Sequence, residues 1–330
     1  PRLPSGWLGR TPDYRAAFLG PPGANAAFSP PYDGNARRWY QESQEKVLFW
    51  NHAFVNPPID RNLPPEEIGD VFVHVIEEND SGVVVSGAKV VATGSALTHY
   101  NFIANYGAPV RDKKYAIVAA VPMDTAGVKL IARPSSSQAA EETSTPFDYP
   151  LTTRFDENDA ILIMDRVLIP WENIFIYGDL DKFNSFGVAS GFANRMTMQG
   201  AIRLAVKLDF ISGLLLKSLE LTGTKDFRGV QTRLGEVLGW RSAVWALVDA
   251  MVYNPEPWVG GTVTPQFNAV QSYHWLGQAI YPRVREIIMQ DLGSALIYLP
   301  SSAKDFDSPE IRKYLDKFVR GSGGVDAETR

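Results

Sequence analysis

Few residue types in this chain can do chemistry. It contains four histidines, His52, His74, His99 and His274, and none of them forms a His-x-x-x-His or Glu-x-x-His pair. Such short spacings are typical of metal sites. Cysteine is absent, which excludes disulfides, thiolate nucleophiles and cysteine-held iron–sulfur or zinc sites. We therefore expect no metal site, and the chemistry must come from other groups.

The four histidines differ in their surroundings. His52 precedes the proline-rich turn at Pro57 and Pro58, where a helical pattern changes to a strand pattern, and loops at such places often carry ligands. His74 lies within an alternating strand, which favours a hydrogen-bonded structural role. His274 lies within a helical run, which favours a packing or interface role. The residues alone leave His99 open and do not assign His52 to a site.

The standard motifs of several enzyme classes are missing. The chain has no Gly-x-Gly-x-x-Gly after a strand and no phosphate loop ending in Gly-Lys-Ser or Gly-Lys-Thr. A Rossmann dinucleotide site and an NTPase are therefore disfavoured. The segment Gly187 to Gly191 misses the Gly-x-Ser-x-Gly nucleophile elbow by one position, which disfavours an α/β-hydrolase.

The composition is that of a soluble globular protein. With 330 residues, 45% of them hydrophobic and 21% charged, the chain can bury a large core and form about two domains. Its net charge of −5 offers no basic stripe, so we expect no nucleic-acid partner. No apolar run is long enough to cross a membrane, and Pro1 to Gly9 lack the charged and apolar regions of a signal peptide, so we expect a cytoplasmic location.

Both ends of the chain look cut. It begins at Pro1 rather than methionine and ends at Arg330, shortly after the glycine-rich segment Gly321 to Gly324. We therefore expect the chain to be the middle of a longer protein.

Hydrophobic spacing divides the chain into three parts. Residues 12–50 have helical spacing, interrupted by a Pro/Gly/Ser-rich break at residues 20–33. Residues 52–180 contain β-branched runs separated by turn residues. From residue 187 the spacing is helical again, with helices expected to end near Gly223 and Pro255 and a third helix at about residues 268–298.

This order predicts an α+β fold. We expect the remainder of an N-terminal helical domain at residues 1–51, a central antiparallel β-barrel or sandwich at residues 52–180, and an incomplete C-terminal helical bundle at residues 181–330. The acyl-CoA dehydrogenase-like flavoproteins have this order. Agreement at the level of the fold does not define the reaction, although a junction between a sheet and a bundle is a good place for a ligand cleft.

Several segments resemble one flavoenzyme family, the oxygenase component of the two-component 4-hydroxyphenylacetate 3-monooxygenases. The resemblance extends over essentially the whole chain, and two segments at its start are informative. These are Arg10-Thr11-Pro12-Asp13-Tyr14 and Asn51-His52-Ala53-Phe54-Val55-Asn56-Pro57-Pro58-Ile59-Asp60-Arg61. Further blocks lie at residues 85–93, 95–101, 149–160, 169–173, 203–210 and 299–303.

The resemblance implies an activity and its partners. In this family a separate NAD(P)H-dependent flavin oxidoreductase supplies reduced FAD, which reacts with O2 to form a C4a-hydroperoxide. One oxygen atom is then inserted ortho to a phenol hydroxyl, which gives a catechol. The cofactor carries the difficult chemistry while the protein orients it and excludes water. The family and the helical bundle also suggest a homotetramer.

The resemblance assigns roles to individual residues. His52 would accept proton density from the phenol, Arg10 would stabilise the developing negative charge, and Tyr14 would fix the ring. Arg61 would suit a pyrophosphate through its planar donor fork. The predicted catalytic residues are Arg10, Tyr14 and His52; the predicted flavin-binding residues are His52, Pro58, Ile59, Asp60, Arg61, Thr93 and Ser95; the predicted substrate-binding residues are Arg10, Tyr14, His52, Thr98, His99 and Tyr100.

Alternatives remain for the residues and for the function. Arg10 could pair with Asp13, and Arg61 with Glu66 or Glu67. The loop at residues 103–110 differs from the family's expected sequence, so the substrate could be 4-hydroxyphenylacetate, p-coumarate, tyrosine or another para-substituted phenol. An acyl-CoA dehydrogenase-like flavoenzyme and a non-catalytic flavin- or phenol-binding homologue also stay open. A 4-hydroxybutyryl-CoA dehydratase is excluded because its iron–sulfur cluster needs cysteine.

Overall fold

The structure is a computed structural model that describes residues 14, 16–60, 62–63, 65–105, 109–155 and 158–330. Two predicted site residues, Arg10 and Arg61, lie outside the described residues. Helices come first in the chain, strands follow, and long helices occupy the second half. Among the described residues no helix has both the length and the apolar character that crossing a bilayer requires.

The first two α-helices of the described residues are α1 (Ala16–Ala24) and α2 (Asp33–Glu45). The sequence predicts a break from residue 20, but α1 continues through Pro21 and Pro22. Proline lacks the N–H that an interior helix position donates. Both prolines are buried, and α1 packs against α2 and against a long helix of the bundle, so tertiary packing outweighs the local preference.

The strands of the β domain form two four-stranded sheets. The first sheet has the order β1-β4-β5-β8, and the second has the order β2-β3-β7-β6. The strands are β1 (Trp50–Ala53), β2 (His74–Asn79), β3 (Gly82–Lys89), β4 (Tyr100–Ile103), β5 (Ile117–Pro122), β6 (Val128–Ala132), β7 (Ala160–Pro170) and β8 (Ile174–Tyr177).

The two sheets share one apolar core. Val83 and Val85 of the second sheet belong to the same buried cluster as Ile103, Ile117 and Val121 of the first. This is the sandwich form of the expected β domain. The sequence predicts an all-antiparallel arrangement, but β1 and β4 are parallel. Parallel neighbours need a crossover connection, and the β2–β3 hairpin of the other sheet lies within it.

In the described part of the chain six further α-helices follow or interrupt the strands, together with a small hairpin of β9 (Glu256–Pro257) and β10 (Val263–Thr264). The three long helices predicted from sequence are present. The first ends at Gly223, whose left-handed φ of +74° is favourable for glycine. The helices are α3 (Ser136–Thr143), α4 (Leu180–Ala189), α5 (Phe192–Thr222), α6 (Arg228–Tyr253), α7 (Phe267–Tyr298) and α8 (Pro309–Phe318).

Helices α5, α6 and α7 pack against one another. Leu208 and Leu215 of α5, Val244 of α6, and Ile280 and Ile287 of α7 belong to one buried cluster. The recurrence of apolar residues three or four positions apart produces this shared face. The bundle therefore has its own core, and the amino-terminal part of α5 extends from it toward the first sheet.

An aromatic cluster around Phe102 joins the first sheet to the helices. Phe102 of β4 is fully buried, and its ring centroid lies 5.5 Å from that of Phe18, 6.0 Å from Phe54, 5.3 Å from Phe175 and 6.0 Å from Phe186. These partners come from α1, the end of β1, β8 and α4. Aromatic rings at such distances add to the stabilisation from area burial, so Phe102 fixes the helices on this face of the sheet.

Truncation of Phe102 tests that role. We expect Phe102→Ala to lower the free energy of unfolding by about 3 to 5 kcal/mol, since it leaves a cavity in a packed core. Urea denaturation measures the change. Phe318→Ala is the matched control because Phe318 is 69% exposed, and we expect a change of about 0.5 kcal/mol or less. Equal losses in the two variants would contradict a central role for Phe102.

Candidate functional site

A cavity of about 430 Å³ lies between the first sheet and the helices. Its volume and its mainly apolar and aromatic lining are typical of small-molecule sites. Polar side chains line part of it. The lining residues are His52, Phe54, Val55, Asn105, Phe186, Gly187, Phe192, Ala193, Asn194, Met196, Thr197, Val270, Gln271 and His274.

His52 faces the cavity because of its place in β1. Successive side chains of a strand point to opposite faces. Asn51 and Ala53 point toward the interior of the sandwich and are almost fully buried, whereas His52 is half-buried on the face covered by helices. Parallel pairing sets His52 opposite Phe102, so the aromatic cluster supports the strand beneath it.

Tyr14 is hydrogen-bonded to His52. The Tyr14 hydroxyl oxygen and His52 Nδ1 are 2.9 Å apart, and the tautomer of the imidazole decides which group donates. Tyr14 is 2% exposed. Its ring centroid lies 5.6 Å from that of His52, and the His52 ring lies 4.5 Å from the ring of Phe54. The imidazole is therefore held on one side by a hydroxyl and on another by an aromatic wall.

Among the described residues, the predicted flavin-binding residues Pro58, Ile59, Asp60, Thr93 and Ser95 are not part of the cavity lining. The turn at Pro58, Ile59 and Asp60 is exposed. The Thr93 hydroxyl donates to Asp159. The hydroxyl of Ser95 is buried, donates to Asn101 Oδ1 at 3.2 Å and accepts from Asn51 Nδ2 at 3.3 Å. The turn at Pro58, Ile59 and Asp60 follows β1, and Thr93 and Ser95 follow β3.

The predicted substrate-binding residues Thr98, His99 and Tyr100 also lie outside the cavity lining. Thr98 Oγ1 donates to the carbonyl of Ser95 at 3.2 Å. His99 is exposed, and its Nδ1 accepts from a backbone N–H at 3.0 Å. The Tyr100 ring stacks on Trp50 at 4.7 Å, and burial raises the pKa of its hydroxyl. The structure thus brings Tyr14 and His52 together at the cavity and places these three side chains elsewhere.

The far wall of the cavity was not found from the sequence. Phe186 of α4, Met196 of α5, and Gln271 and His274 of α7 reach it from distant parts of the chain. The sequence favours a packing or interface role for His274, whereas the structure places it on the cavity wall. Helical spacing signalled only that these helices pack. In the described part of the chain no three His, Cys, Asp or Glu side chains are grouped for a metal ion.

Two family descriptions match the chain end to end. The match to the N-terminal region of 4-hydroxyphenylacetate 3-hydroxylase covers residues 2–176, and the match to its C-terminal region covers residues 183–330. The chain belongs to the 4-hydroxyphenylacetate 3-hydroxylase family. This confirms the family predicted from the sequence resemblance.

Individual relatives of this hydroxylase family member are similar over nearly the whole chain. It is 59% identical to a (3S)-3-amino-3-(3-chloro-4-hydroxyphenyl)propanoyl-carrier protein monooxygenase of Streptomyces globisporus, over 98% of this chain and 62% of that protein. It is 56% identical to the oxygenase component of a 4-nitrophenol 2-monooxygenase of Rhodococcus, again over 98% and 62%. The chain thus spans about 62% of the length of these relatives.

A solved structure has the same fold. The crystal structure of a 4-hydroxyphenylacetate 3-monooxygenase oxygenase component in complex with FAD and 4-hydroxyphenylacetate matches with a TM-score of 0.92 and 30% sequence identity, over 99% of this chain and 68% of that chain. The match confirms the acyl-CoA dehydrogenase-like arrangement of helices, β domain and helical bundle that the sequence predicts for this hydroxylase family member.

Filling the cavity tests whether it binds an aromatic ligand. We expect Ala193→Phe to weaken the binding of a para-substituted phenol to the full-length protein by at least about tenfold, since the added ring occupies space in the cavity. Isothermal titration measures the dissociation constant. Ala189→Phe is the matched control because Ala189 is exposed at the end of α4. Unchanged binding to Ala193→Phe would place the ligand outside this cavity.

Proposed function

We propose that the full-length protein hydroxylates a para-substituted phenol ortho to its hydroxyl group, with reduced FAD and O2. The hydrogen bond between Tyr14 and His52 on the wall of a 430 Å³ cavity is the main support from the geometry. The relatives support the same substrate class. One is named for 4-nitrophenol, one for a 3-chloro-4-hydroxyphenyl group, and one was crystallised with 4-hydroxyphenylacetate.

The lining of the cavity suits a planar aromatic ring system. Phe54, Phe186, Phe192 and Met196 provide apolar walls, and Met and aromatic side chains pack well against flat rings. The proposal also assigns FAD contacts to His52, the exposed turn Pro58–Asp60, Thr93 and Ser95. The Thr93 and Ser95 hydroxyls donate to Asp159 and Asn101, so they would meet FAD through their acceptor lone pairs or by exchanging these hydrogen bonds. Bound reduced FAD supplies the two electrons with which O2 gives one oxygen atom to the ring and one to water.

His52 is proposed to move the phenolic proton. A phenol is more reactive toward an electrophilic oxygen as its phenolate, so a group that takes the proton accelerates the reaction. When the Nδ1–H of His52 donates to the Tyr14 hydroxyl oxygen, Nε2 is the acceptor and can take that proton. In the other tautomer Nδ1 accepts from the Tyr14 hydroxyl, so the proposal assigns the tautomer with the proton on Nδ1. Tyr14 orients the imidazole, and the sequence resemblance adds Arg10 as the group that stabilises the phenolate.

The proposal includes a reductase and a homotetramer. An oxygenase component needs a separate NAD(P)H-dependent flavin oxidoreductase to supply reduced FAD. Self-association is supported by the exposed apolar side chains of α7, among which Trp275 is 73%, Met289 62% and Ile297 86% exposed. Large exposed apolar side chains often mark contact surfaces. A stable monomer of the full-length protein in light scattering would contradict the tetramer.

An acyl-CoA dehydrogenase-like reaction has less support. That chemistry needs a carboxylate base over the ligand, and none of the described residues that line the cavity is Asp or Glu. A non-catalytic homologue would bind flavin or phenol without forming product. Detection of a catechol product distinguishes the proposed hydroxylation from both alternatives, because neither alternative forms a catechol.

Replacement of His52 tests the proposed reaction. The full-length His52→Ala variant is loaded with reduced FAD without oxygen and then mixed with O2 and a phenol. We expect catechol yield to fall by about 100-fold, with hydrogen peroxide formed instead, since the proton acceptor is lost. Binding of FAD should persist. His74→Ala is the matched control, because His74 lies on β2 and its Nδ1 is 2.7 Å from the Phe72 carbonyl. Full coupled activity of His52→Ala would refute the role of His52.

A further inference from the structure

Lys89 is a buried lysine at the end of β3. It is only 5% exposed. Its Nζ donates to Asn56 Oδ1 at 2.7 Å, to the Ala104 carbonyl at 2.8 Å and to the Phe54 carbonyl at 3.2 Å. An ammonium group has three N–H donors, so each donor has one oxygen acceptor. Among the described residues these polar contacts of Lys89 are all to uncharged oxygens.

The acceptors of Lys89 lie where two parallel strands separate. The ladder between β1 and β4 ends at the pair Ala53 and Ile103. Phe54 follows β1 and Ala104 follows β4, and their carbonyls lie beyond the last pair of the ladder. A buried carbonyl without a donor is costly. The ammonium of Lys89 donates to both carbonyls and so holds the segments after β1 and β4 together just beyond the sheet.

One of these residues, Phe54, and the residue that follows Ala104, Asn105, form the cavity wall beside His52. Phe54 and Asn105 line the cavity, and Lys89 does not. Asn56, which accepts from Lys89, donates its Nδ2 to Asn105 Oδ1 at 3.2 Å. Lys89 therefore acts on the cavity through two routes, the backbone of Phe54 and the amide pair of Asn56 and Asn105.

We propose that Lys89 is a positioning residue for phenol binding, and that the cavity wall formed by Phe54 and Asn105 keeps its shape only while the Lys89 ammonium holds all three oxygens. This inference rests on the proposed function, because the bound ligand is taken to be the phenol. Lys89 touches neither the ligand nor the reacting atoms. Its effect should therefore appear in the affinity for the phenol rather than in the rate of the chemical step.

The protonation state of Lys89 gives the wall a dependence on pH. Burial lowers the pKa of this ammonium to about 7. Below that pH the group has three donors for three oxygens, whereas the neutral amine has two donors and a lone pair, so one oxygen loses its donor. Lys89 and Tyr115 are the titratable residues among those that line the small void of about 10 Å³ at this point. The His74 ring is 5.7 Å from the Tyr115 ring on the other side. The wall should loosen as pH rises through about 7.

Three variants of the full-length protein test the inference. KM for the phenol and kcat are measured between about pH 6 and about pH 9, on either side of the lowered pKa. Lys89→Met keeps the side-chain length and removes the ammonium. Asn56→Asp keeps the acceptor for Lys89 and adds a negative charge, which raises the lysine pKa, although it removes the Nδ2 donor to Asn105. Lys129→Met is the matched control, because Lys129 lies on β6 in an exposed ion pair with Asp165.

We expect KM of the wild type to rise above about pH 7. Lys89→Met should raise KM about tenfold at low pH, the equivalent of about 1.4 kcal/mol in binding, and should abolish its rise with pH, while kcat changes little. Asn56→Asp should move the rise to higher pH. Lys129→Met should follow the wild type. The inference is overturned if Lys89→Met has the same KM and pH profile as Lys129→Met.

Hydrogen exchange separates this inference from the proposed function. The backbone amides of residues 54–56 and 104–105 should exchange faster in Lys89→Met than in Lys129→Met, whether or not the protein hydroxylates a phenol. If the wild type forms no catechol, the proposed function fails, and unchanged protection of these amides would overturn the role of Lys89 independently. If Lys89→Met does not fold, an unshifted KM profile in Asn56→Asp overturns it.

Discussion

The parallel pairing of β1 with β4 is the constraint on which the site depends. It sets His52 opposite Phe102, and the two strands leave the sheet side by side at Phe54 and Ala104. Because the strands run in the same direction, both exits lie at one end of the pair, and both contribute to the same wall of the cavity. In an antiparallel pair the two strands would end at opposite edges of the sheet, and Phe54 would no longer lie beside Ala104.

Burying polar groups around this pair of strands is energetically unfavourable, and nearby hydrogen bonds offset much of that cost. Lys89 places an ammonium among apolar residues, which is unfavourable unless its donors are satisfied. Asn51, Ser95 and Asn101 form a second buried polar group on the other face of β1. The three satisfied donors of Lys89 favour one arrangement of the backbone around them, because another arrangement would leave a buried donor or acceptor unpaired. The cavity wall is thereby fixed by polar contacts and the helices above it by aromatic ones.

The sequence predicted the elements with strong periodicity and missed those without it. The long helices α5, α6 and α7 follow from apolar residues three or four apart, and β3, β5, β6 and β7 from β-branched runs. Strands β1, β4 and β8 have four residues each, too few to show a period, and β1 and β4 pair across a long crossover. Tyr14 and His52 came from the family resemblance. The far wall, from Phe186 to His274, depends on how distant helices pack, which local patterns do not encode.

The charge character of the cavity agrees with chemistry on a phenolate. The described lining residues include histidine and amide side chains but no Asp or Glu. In a site of low dielectric a nearby carboxylate would disfavour a second negative charge, whereas imidazole and amide N–H groups can donate to one. A phenolate formed by proton transfer to His52 would therefore lie beside a cationic imidazolium, neutral amide donors and apolar walls. Because the described lining residues include no Asp or Glu, the cavity offers no carboxylate base for proton abstraction. For the same reason no negatively charged side chain among them repels an anionic aromatic ring.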